Sequence, residues 1–336
     1  MIIDPTLTMA SERDTSALLS LVQGSEGREW TSSLKGWSAD GGRGDLVPVC
    51  EWEGVACRSP EGSDGGLPVI VGVQLAGKGL SGTIPTEFGL LEHLETLVLR
   101  DNVLRGGIPD EIANLRHLQT LDLTECLLTG TLPGRFASEG LSRLLLANNA
   151  ISGRFFGGDG GAGGRGGRRK RKGGKGASGG DGGGGMAFLG SLTEVRMENN
   201  LLTGTLPGHT LSRMTSLTTL SLSDNDLSGT IPGEELGGIP SLHYLYLDGN
   251  HLVGPLPEKL AQPSGASLLE LWVQGNALSG TVPASYVRFS ELHDFYIDGN
   301  KLTGAVPPAM CGPEVNADFF EAVPPGVERN YCDSIA

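Results

Sequence analysis

The sequence predicts an α/β solenoid, in which short parallel strands stack side by side. The pattern L-x-x-L-x-L-x-x-N-x-L-x-G-x-I-P recurs nine times from Val69 onward. Residues 94–99 alternate apolar and polar side chains, which suits a short strand with one buried face. One such unit cannot bury its leucines alone, whereas stacked neighbours can. The second strand-forming position of the nine units falls at Leu75, Leu99, Leu123, Leu146, Met197, Leu222, Leu247, Val273 and Ile297.

The composition agrees with this fold class and excludes several others. The chain has 336 residues, of which 54 are glycine and 19 proline, and its formal net charge is −14. The glycines do not recur at every third position, which excludes collagen. No apolar run reaches about 18 residues, so the sequence shows no transmembrane segment. Apolar residues make up 38% of the chain, too many for simple disorder.

Each position that recurs among the repeats has a physical role. Glycine permits a positive φ or a close backbone approach, and proline fixes φ and ends strand pairing. The amide of asparagine can bond backbone groups that the turn leaves unpaired, which predicts a ladder of amides. Phe156 replaces the proline of the fourth unit. The asparagine slot reads Lys78, Asn102, Cys126, Asn149, Asn200, Asn225, Asn250, Asn276 and Asn300.

Two motifs identify a family resemblance. The unit contains Leu80-Ser81-Gly82-Thr83-Ile84-Pro85, and upstream of the units stands Cys50-Glu51-Trp52-Glu53-Gly54-Val55-Ala56-Cys57. These resemble the plant-specific class of leucine-rich-repeat proteins, which includes receptor-kinase ectodomains, receptor-like proteins and polygalacturonase-inhibiting proteins. The resemblance implies a right-handed horseshoe of nine repeats of about 24 residues, with short parallel strands on its concave side. It also implies a surface that binds proteins, peptides or hormones without catalysis.

The predicted domain organisation has three parts. Residues 1–68 form a tail and an N-terminal cap, residues 69–310 form the nine repeats, and residues 311–336 form a C-terminal cap. In the N-terminal cap, Asp14 is predicted to N-cap a helix that buries one apolar face. That face consists of Ala17, Leu18 and Leu21.

The chain has five cysteines. The resemblance implies two cap disulfides, Cys50 with Cys57 and Cys311 with Cys332. Cys126 occupies an asparagine slot, where we expect a buried, unreactive thiol. No metal site is predicted, because the pair in the N-terminal cap lacks two further ligands nearby.

The cap disulfides favour an oxidising compartment, so we predict an extracellular or cell-surface protein. The first residues show no signal-peptide pattern, and no N-x-S/T sequon occurs. A cytoplasmic protein with reduced thiols is therefore the alternative.

A glycine-rich segment interrupts the fourth repeat. Residues 157–185 contain 17 glycines in 29 positions and carry seven bases against two acids, a net charge of +5. Such a segment cannot bury apolar area and is predicted to be a disordered insertion. Its basic run could contact nucleic acid, an anionic polysaccharide or acidic lipid, or fold back on the acidic solenoid. The alternative is a tolerated low-complexity insertion. The run consists of Arg168, Arg169, Lys170, Arg171 and Lys172.

The outward residues of the strands predict a ligand-binding face. The position between the strand leucines reads Gln74, Val98, Asp122, Leu145, Arg196, Ser221, Tyr246, Trp272 and Tyr296. Three aromatic residues thus lie on neighbouring strands, about 5 Å apart. Exposed rings beside carboxylates suit a basic peptide or protein, or a sugar stacked on the rings. The predicted ligand-binding residues are His243, Tyr244, Tyr246, Asp248, Glu270, Trp272, His293, Asp294, Tyr296 and Asp298, with Gln274 between them.

Two further interpretations of this face stay open. Aromatic residues are good strand formers, so they could simply cover the sheet. A weaker candidate site lies in the earlier repeats, although its pattern is also typical of a solvated charged face. It comprises Arg100, Asp101, Asp122, Glu125, Glu194, Arg196 and Glu198.

We predict no enzymatic activity and no cofactor. Glu270 with Asp294, or His243 with His293, could form an acid–base pair, but nothing indicates a closed pocket to shift their pKa values. Two functions remain. The first is a recognition module for a protein, peptide or glycan, receptor-like or enzyme-inhibitor-like, in defence or signalling. The second is a structural protein of the wall or matrix that acts through the acidic solenoid and the basic segment.

Overall fold

The computed structural model describes residues 12–23, 34–37, 48–59, 67–133, 136–156, 187–262, 267–307, 310 and 327–328. The basic insertion, Cys311 and Cys332 lie outside these residues. No helix among the described residues is both long enough and apolar enough to span a membrane.

A ten-stranded main sheet runs through the chain. Its first strand pairs antiparallel with the second, and the other neighbours pair in parallel, one strand for each repeat. We number the repeats one to nine in chain order. The strands are Val55–Arg58, Val69–Gln74, Thr96–Val98, Thr120–Asp122, Arg143–Leu145, Glu194–Arg196, Thr219–Ser221, Tyr244–Tyr246, Glu270–Trp272 and Asp294–Tyr296.

The core lies on the inner face of the main sheet. The middle residue of each three-residue strand points inward and is at most 1% exposed, as at Leu97, Val195 and Phe295. The alternation that predicted strands with one buried face is therefore confirmed. Because the parallel strands pair in register, every outward position forms a straight row across the sheet.

A second set of parallel strands follows the turn of each repeat, and sequence analysis did not predict it. These strands lie between the asparagine slot and the motif proline position, and they bond to the preceding repeat, as Val103 N–H does to Leu80 O at 2.8 Å. One sheet contains Ser81–Thr83, Val103–Gly106 and Leu127–Leu128. A second contains Ser152–Arg154, Leu201–Thr205, Asp226–Gly229, His251–Pro255, Ala277–Gly280 and Lys301–Leu302. Gly304–Ala305 pairs separately with Val327–Glu328.

Short helices close most repeats, usually directly after the motif proline. The α-helices are Glu12–Gln23, Asp110–Ala113, Gly208–Leu211 and Gly233–Gly237. The 3₁₀ helices are Val49–Glu51, Thr86–Leu90, Ala187–Ser191, Glu258–Ala261 and Ala284–Arg288.

The N-terminal helix buries the predicted face, since Ala17, Leu18 and Leu21 are 0% exposed. The prediction for Asp14 is wrong, because the helix already begins at Glu12 and Asp14 lies inside its first turn.

The asparagine ladder is confirmed. Asn102 Nδ2 donates to Leu99 O at 2.7 Å and to Leu75 O at 2.9 Å, and its Oδ1 accepts from Leu80 N–H at 2.8 Å. The same bonds recur from Asn149 to Asn300. Each amide therefore joins a turn to the repeat before it.

Cys126 is buried, as predicted, and its Sγ donates to Leu99 O at 3.4 Å. Burial raises the pKa of this thiol, which disfavours the reactive thiolate.

The motif glycines all adopt positive φ, between 76° and 86°. At Gly229 an added Cβ would lie 2.7 Å from the Thr205 methyl of the preceding repeat. Left-handed backbone and close stacking therefore both require glycine in this slot.

The N-terminal cap contains the disulfide Cys50–Cys57, with an S–S distance of 2.02 Å. Beside it, Trp37 and Trp52 pack with ring centroids 5.1 Å apart, and Trp37 Nε1 donates to Glu53 O at 2.8 Å. The cap thus covers the open end of the first repeat with its own small apolar cluster.

Candidate functional site

Three rings form a continuous row on the outward face of repeats seven to nine. We call Tyr246, Trp272 and Tyr296 the aromatic row. Strand register places them side by side, with ring centroids 4.8 Å apart for the first pair and 5.3 Å for the second. Tyr244 adds a fourth ring, stacked on Tyr246 at 6.4 Å. The three aromatic residues that the repeat spacing predicts on neighbouring strands are therefore neighbours in space.

The rings of the aromatic row are half-buried and do not belong to the core. Leu245, Leu271 and Phe295 fill the core beneath them and are at most 1% exposed. Because strand residues alternate between faces, the rings stand on the side of the sheet away from these core residues. They therefore cover the sheet without being needed to close the solenoid interior.

Carboxylates flank the aromatic row on both sides. Glu270 and Asp294 face each other on one side, and Asp248 and Asp298 lie on the other. The Tyr246 hydroxyl donates to Glu270 Oε2 at 2.7 Å. Burial, together with the hydrogen bond to Glu270 and its charge, raises the pKa of Tyr246 well above its ordinary range. The hydroxyl therefore remains a hydrogen-bond donor.

Asp248 is held differently from its neighbours. Burial raises the pKa of its carboxyl group, and a hydrogen bond from the Ser223 hydroxyl opposes that shift. The nearby charges of Asp224 and Glu198 add to the increase. This side of the aromatic row is therefore a region of negative charge.

Two predicted histidines lie at the margin of the face. His243 packs against Tyr244 with centroids 6.2 Å apart, and His293 Nδ1 lies 3.2 Å from Asp294 Oδ2. Glu270, His293 and Asp294 each bring one ligand atom to within 4.8 Å of the others. Sequence analysis predicted no metal site, but these three could hold a metal ion. The signal available in the sequence was the shared strand position of Glu270 and Asp294, with a histidine beside the second.

Three polar atoms of the outward face are buried without a hydrogen-bond partner among the described residues. They are Trp272 Nε1, Gln274 Oε1 and Glu198 Oε2. Buried polar groups in folded proteins are normally paired, and an unpaired one destabilises by about 1–3 kcal/mol. An ordered water or a polar atom of a bound ligand would satisfy such atoms.

The weaker candidate site forms ion pairs instead of an open face. Glu194 accepts from Arg196 Nε at 2.6 Å and from Arg143 Nε at 2.9 Å. Burial opposes ionisation of Glu194, but these hydrogen bonds and the two positive charges outweigh it and lower its pKa. Arg100 Nε lies 3.9 Å from Asp122 Oδ2.

Two residues assigned to the weaker site lie elsewhere. Asp101 and Glu125 occupy the turn after the strand, with φ of 59° and 54°, and do not stand in the outward rows. Their left-handed backbone explains the difference, because a turn follows the strand at that slot. Glu198 lies two positions beyond Arg196, on the same side of the row as Asp248.

A groove runs along the edge of the same repeats and was not predicted. Its volume is about 600 Å³. The turn slot that holds Asp101 and Glu125 in earlier repeats holds glycine in repeats seven to nine, so no side chain fills this space. The lining residues are Gly249, Asn250, His251, Val253, Gly275, Asn276, Ala277 and Gly299.

Comparison with known proteins identifies the repeats. Leucine-rich-repeat family models match residues 93–115, 117–138 and 190–252. No curated protein sequence matches the chain. One similar solved structure is the plant peptide hormone receptor RGFR1 in complex with RGF2, at 27% identity and a TM-score of 0.57, covering 74% of this chain and 34% of that one.

Two other structures share the fold. The Arabidopsis receptor kinase HAESA, solved with the peptide hormone IDA and the co-receptor SERK1, is 24% identical with a TM-score of 0.67, covering 90% of this chain and 44% of that one. A plant ice-binding protein is 20% identical with a TM-score of 0.59, covering 95% of this chain and 96% of that one. The chain thus spans less than half the length of the two receptors.

Proposed function

This chain is a leucine-rich-repeat protein of the plant type, and on that premise we propose that it is a non-catalytic recognition module. Its ligand is a protein, peptide or glycan that binds the outward, concave face of repeats seven to nine. The observation that carries this proposal is the aromatic row, three adjacent rings that the core does not require. Aromatic side chains on a surface are the residues that most often anchor a partner.

The relatives support recognition as the function. RGFR1, the receptor with 27% identity, was solved in complex with RGF2. The chain matches only part of that receptor, and the fold alone also serves an ice-binding protein. The proposal therefore rests chiefly on the residues of this face, with the receptor as a precedent for ligand binding.

Catalysis is disfavoured by the openness of the same face. The side chain of His293 is 49% exposed, and its partner Asp294 also contacts solvent. General acid–base groups work best in sites that exclude water. We therefore assign these residues to ligand contact.

An extracellular or cell-surface location fits the disulfide of the N-terminal cap. The test expresses a tagged chain in plant cells, compares medium with cytosol, and measures alkylation of Cys50 and Cys57. Secretion with both thiols protected is expected, whereas a cytosolic protein with alkylated thiols contradicts this location.

The binding test replaces the aromatic row. A peptide library and a glycan array are screened against the full chain, and each ligand found is measured against the Tyr246→Ala/Trp272→Ala/Tyr296→Ala variant. We expect affinity to fall by more than about tenfold, since each buried aromatic anchor contributes on the order of 1 kcal/mol or more. Gln74→Ala/Val98→Ala changes the same outward position in repeats one and two and should retain affinity. Undiminished binding by the triple variant would falsify the proposed site.

Salt separates recognition from a structural role. A matrix protein held by charge loses its partner between about 0.1 M and about 1 M salt, because exposed charges are screened at those concentrations. Ligands anchored on the aromatic row should keep most of their affinity.

A further inference from the structure

The outward face of the last four strands carries carboxylates but no lysine or arginine. Its twelve outward positions include four carboxylates, and none of the twelve is lysine or arginine. The rows are Thr219, Tyr244, Glu270 and Asp294, then Ser221, Tyr246, Trp272 and Tyr296, then Ser223, Asp248, Gln274 and Asp298.

None of the four carboxylates of this face pairs with a lysine or arginine among the described residues, although Glu270 accepts from the Tyr246 hydroxyl and Asp294 lies beside His293. Glu270 and Asp294 stand directly opposite each other on neighbouring strands, where like charges repel. Asp248 accepts a hydrogen bond from Ser223 but has no ion-pair partner among the described residues. The side chain of Asp298 has neither a hydrogen bond nor an ion pair in the described part of the chain. A cation from outside would therefore be attracted to both sides of the aromatic row.

The rings are arranged to accept that cation. The plane of Trp272 lies at 63° to that of Tyr246 and at 87° to that of Tyr296. Neighbouring rings inclined at these angles form the walls of a corner, and the negative face of a ring attracts a positive group placed over it. Strands about 5 Å apart keep the flanking carboxylates within reach of a cation on the rings.

We infer that this corner binds the guanidinium group of an arginine in a peptide segment that crosses the aromatic row. The inference rests on the proposed function and names its ligand class. A guanidinium is planar and stacks on a ring while it donates two parallel hydrogen bonds to a carboxylate. An ammonium group is a compact, strongly hydrated charge and gains less from the rings. An anionic ligand would meet four carboxylates, with His293 as the one titratable base beside Asp294, and is repelled.

The test uses a displayed random library of peptides of about 12 residues, long enough to cross the face when extended. Peptides are selected on the full chain, and each arginine of a selected peptide is replaced by citrulline, which has nearly the same shape without the charge. We expect selected peptides to be enriched in arginine and to lose about tenfold in affinity at one citrulline position.

A variant of the protein locates the contact. Asp248→Asn/Asp298→Asn should weaken the arginine peptide about tenfold and leave its citrulline twin unchanged, which is the signature of a direct coupling. Glu87→Gln/Glu258→Gln removes two exposed carboxylates from the helices outside the main sheet and should change neither affinity.

The outcomes separate this inference from the proposed function. Peptides that need the aromatic row but tolerate citrulline overturn the arginine inference and leave recognition at this face intact. Peptides whose affinity is unchanged both by replacement of the aromatic row and by citrulline overturn the arginine inference and the proposed function. A selection that yields no arginine-dependent binder also overturns the inference, including one in which binding instead requires a divalent cation at Glu270, His293 and Asp294.

Discussion

The two halves of the main sheet have the same backbone arrangement but differ in how their outward carboxylates are paired. In the charged half, repeats two to five, Glu194 is held by both Arg143 and Arg196. In the aromatic half, repeats seven to nine, Asp248 and Asp298 flank the rings, and Asp294 lies beside His293. The lesson is that charge count alone does not identify a binding face. What distinguishes the aromatic half is that no lysine or arginine among the described residues pairs with its outward carboxylates.

The turns that follow the strands differ between the same two halves. In repeats two to five the left-handed slot holds Asp101, Glu125, Asn148 and Asn199, and in repeat six it holds Asp224, all with positive φ. In repeats seven to nine it holds glycine. The left-handed backbone at this slot is thus strained in the charged half, where non-glycine residues adopt it, and unstrained in the aromatic half, where glycine does.

The largest stability effect is expected at the asparagine ladder, which Cys126 interrupts in the charged half. Asn276→Ala removes donors to Leu247 O and Val273 O and the acceptor for Leu252 N–H, all buried. We expect a loss of about 2–4 kcal/mol in the free energy of unfolding. Cys126→Ala, in the same slot of the charged half, should lose only about 1 kcal/mol. Urea denaturation of both variants measures the difference, and equal losses would contradict the ladder as a main stabilising element.

The left-handed turn should give a smaller difference. Gly249→Ala places a Cβ 2.2 Å from Asp224 Oδ1 at a φ of 60°, so we expect a loss of about 1–2 kcal/mol. Asn199→Gly, at the same slot of the charged half, should stay within about 0.5 kcal/mol. Thermal unfolding of the two variants measures the difference. A Gly249→Ala variant with unchanged Tm would show that the groove tolerates a side chain at this slot.

The smallest effect is a dependence on pH with opposite sign in the two halves. The pKa of Glu194 is lowered, so its contribution to stability is present above its ordinary pKa of about 4.3 and lost as pH falls through the lowered value. The pKa of Asp248 is raised by burial, so its contribution is present below its ordinary pKa of about 3.9 and lost as pH rises through the raised value.

At neutral pH, Glu194→Gln should therefore lower Tm and Asp248→Asn should raise it slightly. Tm measured from about pH 3 to about pH 8 checks both signs, since each difference should shrink below the ordinary pKa of the group. Shifts of the same sign would contradict the contrast between paired and unpaired carboxylates.

Sequence reasoning succeeded where one side chain per repeat decides the outcome. The buried leucines, the asparagine ladder, the positive-φ glycines and the alignment of Tyr246, Trp272 and Tyr296 all follow from a fixed period. Repeats of equal length must place equal slots side by side, so the rows could be predicted from spacing alone.

Features that depend on backbone pairing or on side-chain rotamers were missed. The second set of strands arises from backbone hydrogen bonds between repeats, such as Val103 N–H to Leu80 O. No pattern of residue types in the sequence predicts these bonds. The grouping of Glu270, His293 and Asp294 depends on the rotamers of three side chains. The left-handed turn did leave a signal, because Asp and Asn favour that conformation and glycine permits it.

Strand pairing across the interrupted fourth repeat has a consequence for how the chain can be divided. Leu144 pairs in register with Val195, and Arg143 Nε donates to Glu194 Oε2 across 51 positions of sequence. The two blocks of repeats are therefore held together by their interface, and the intervening peptide bonds are not needed for it. A chain cut between residues 156 and 187 should yield two fragments that recognise each other and rebuild the full sheet.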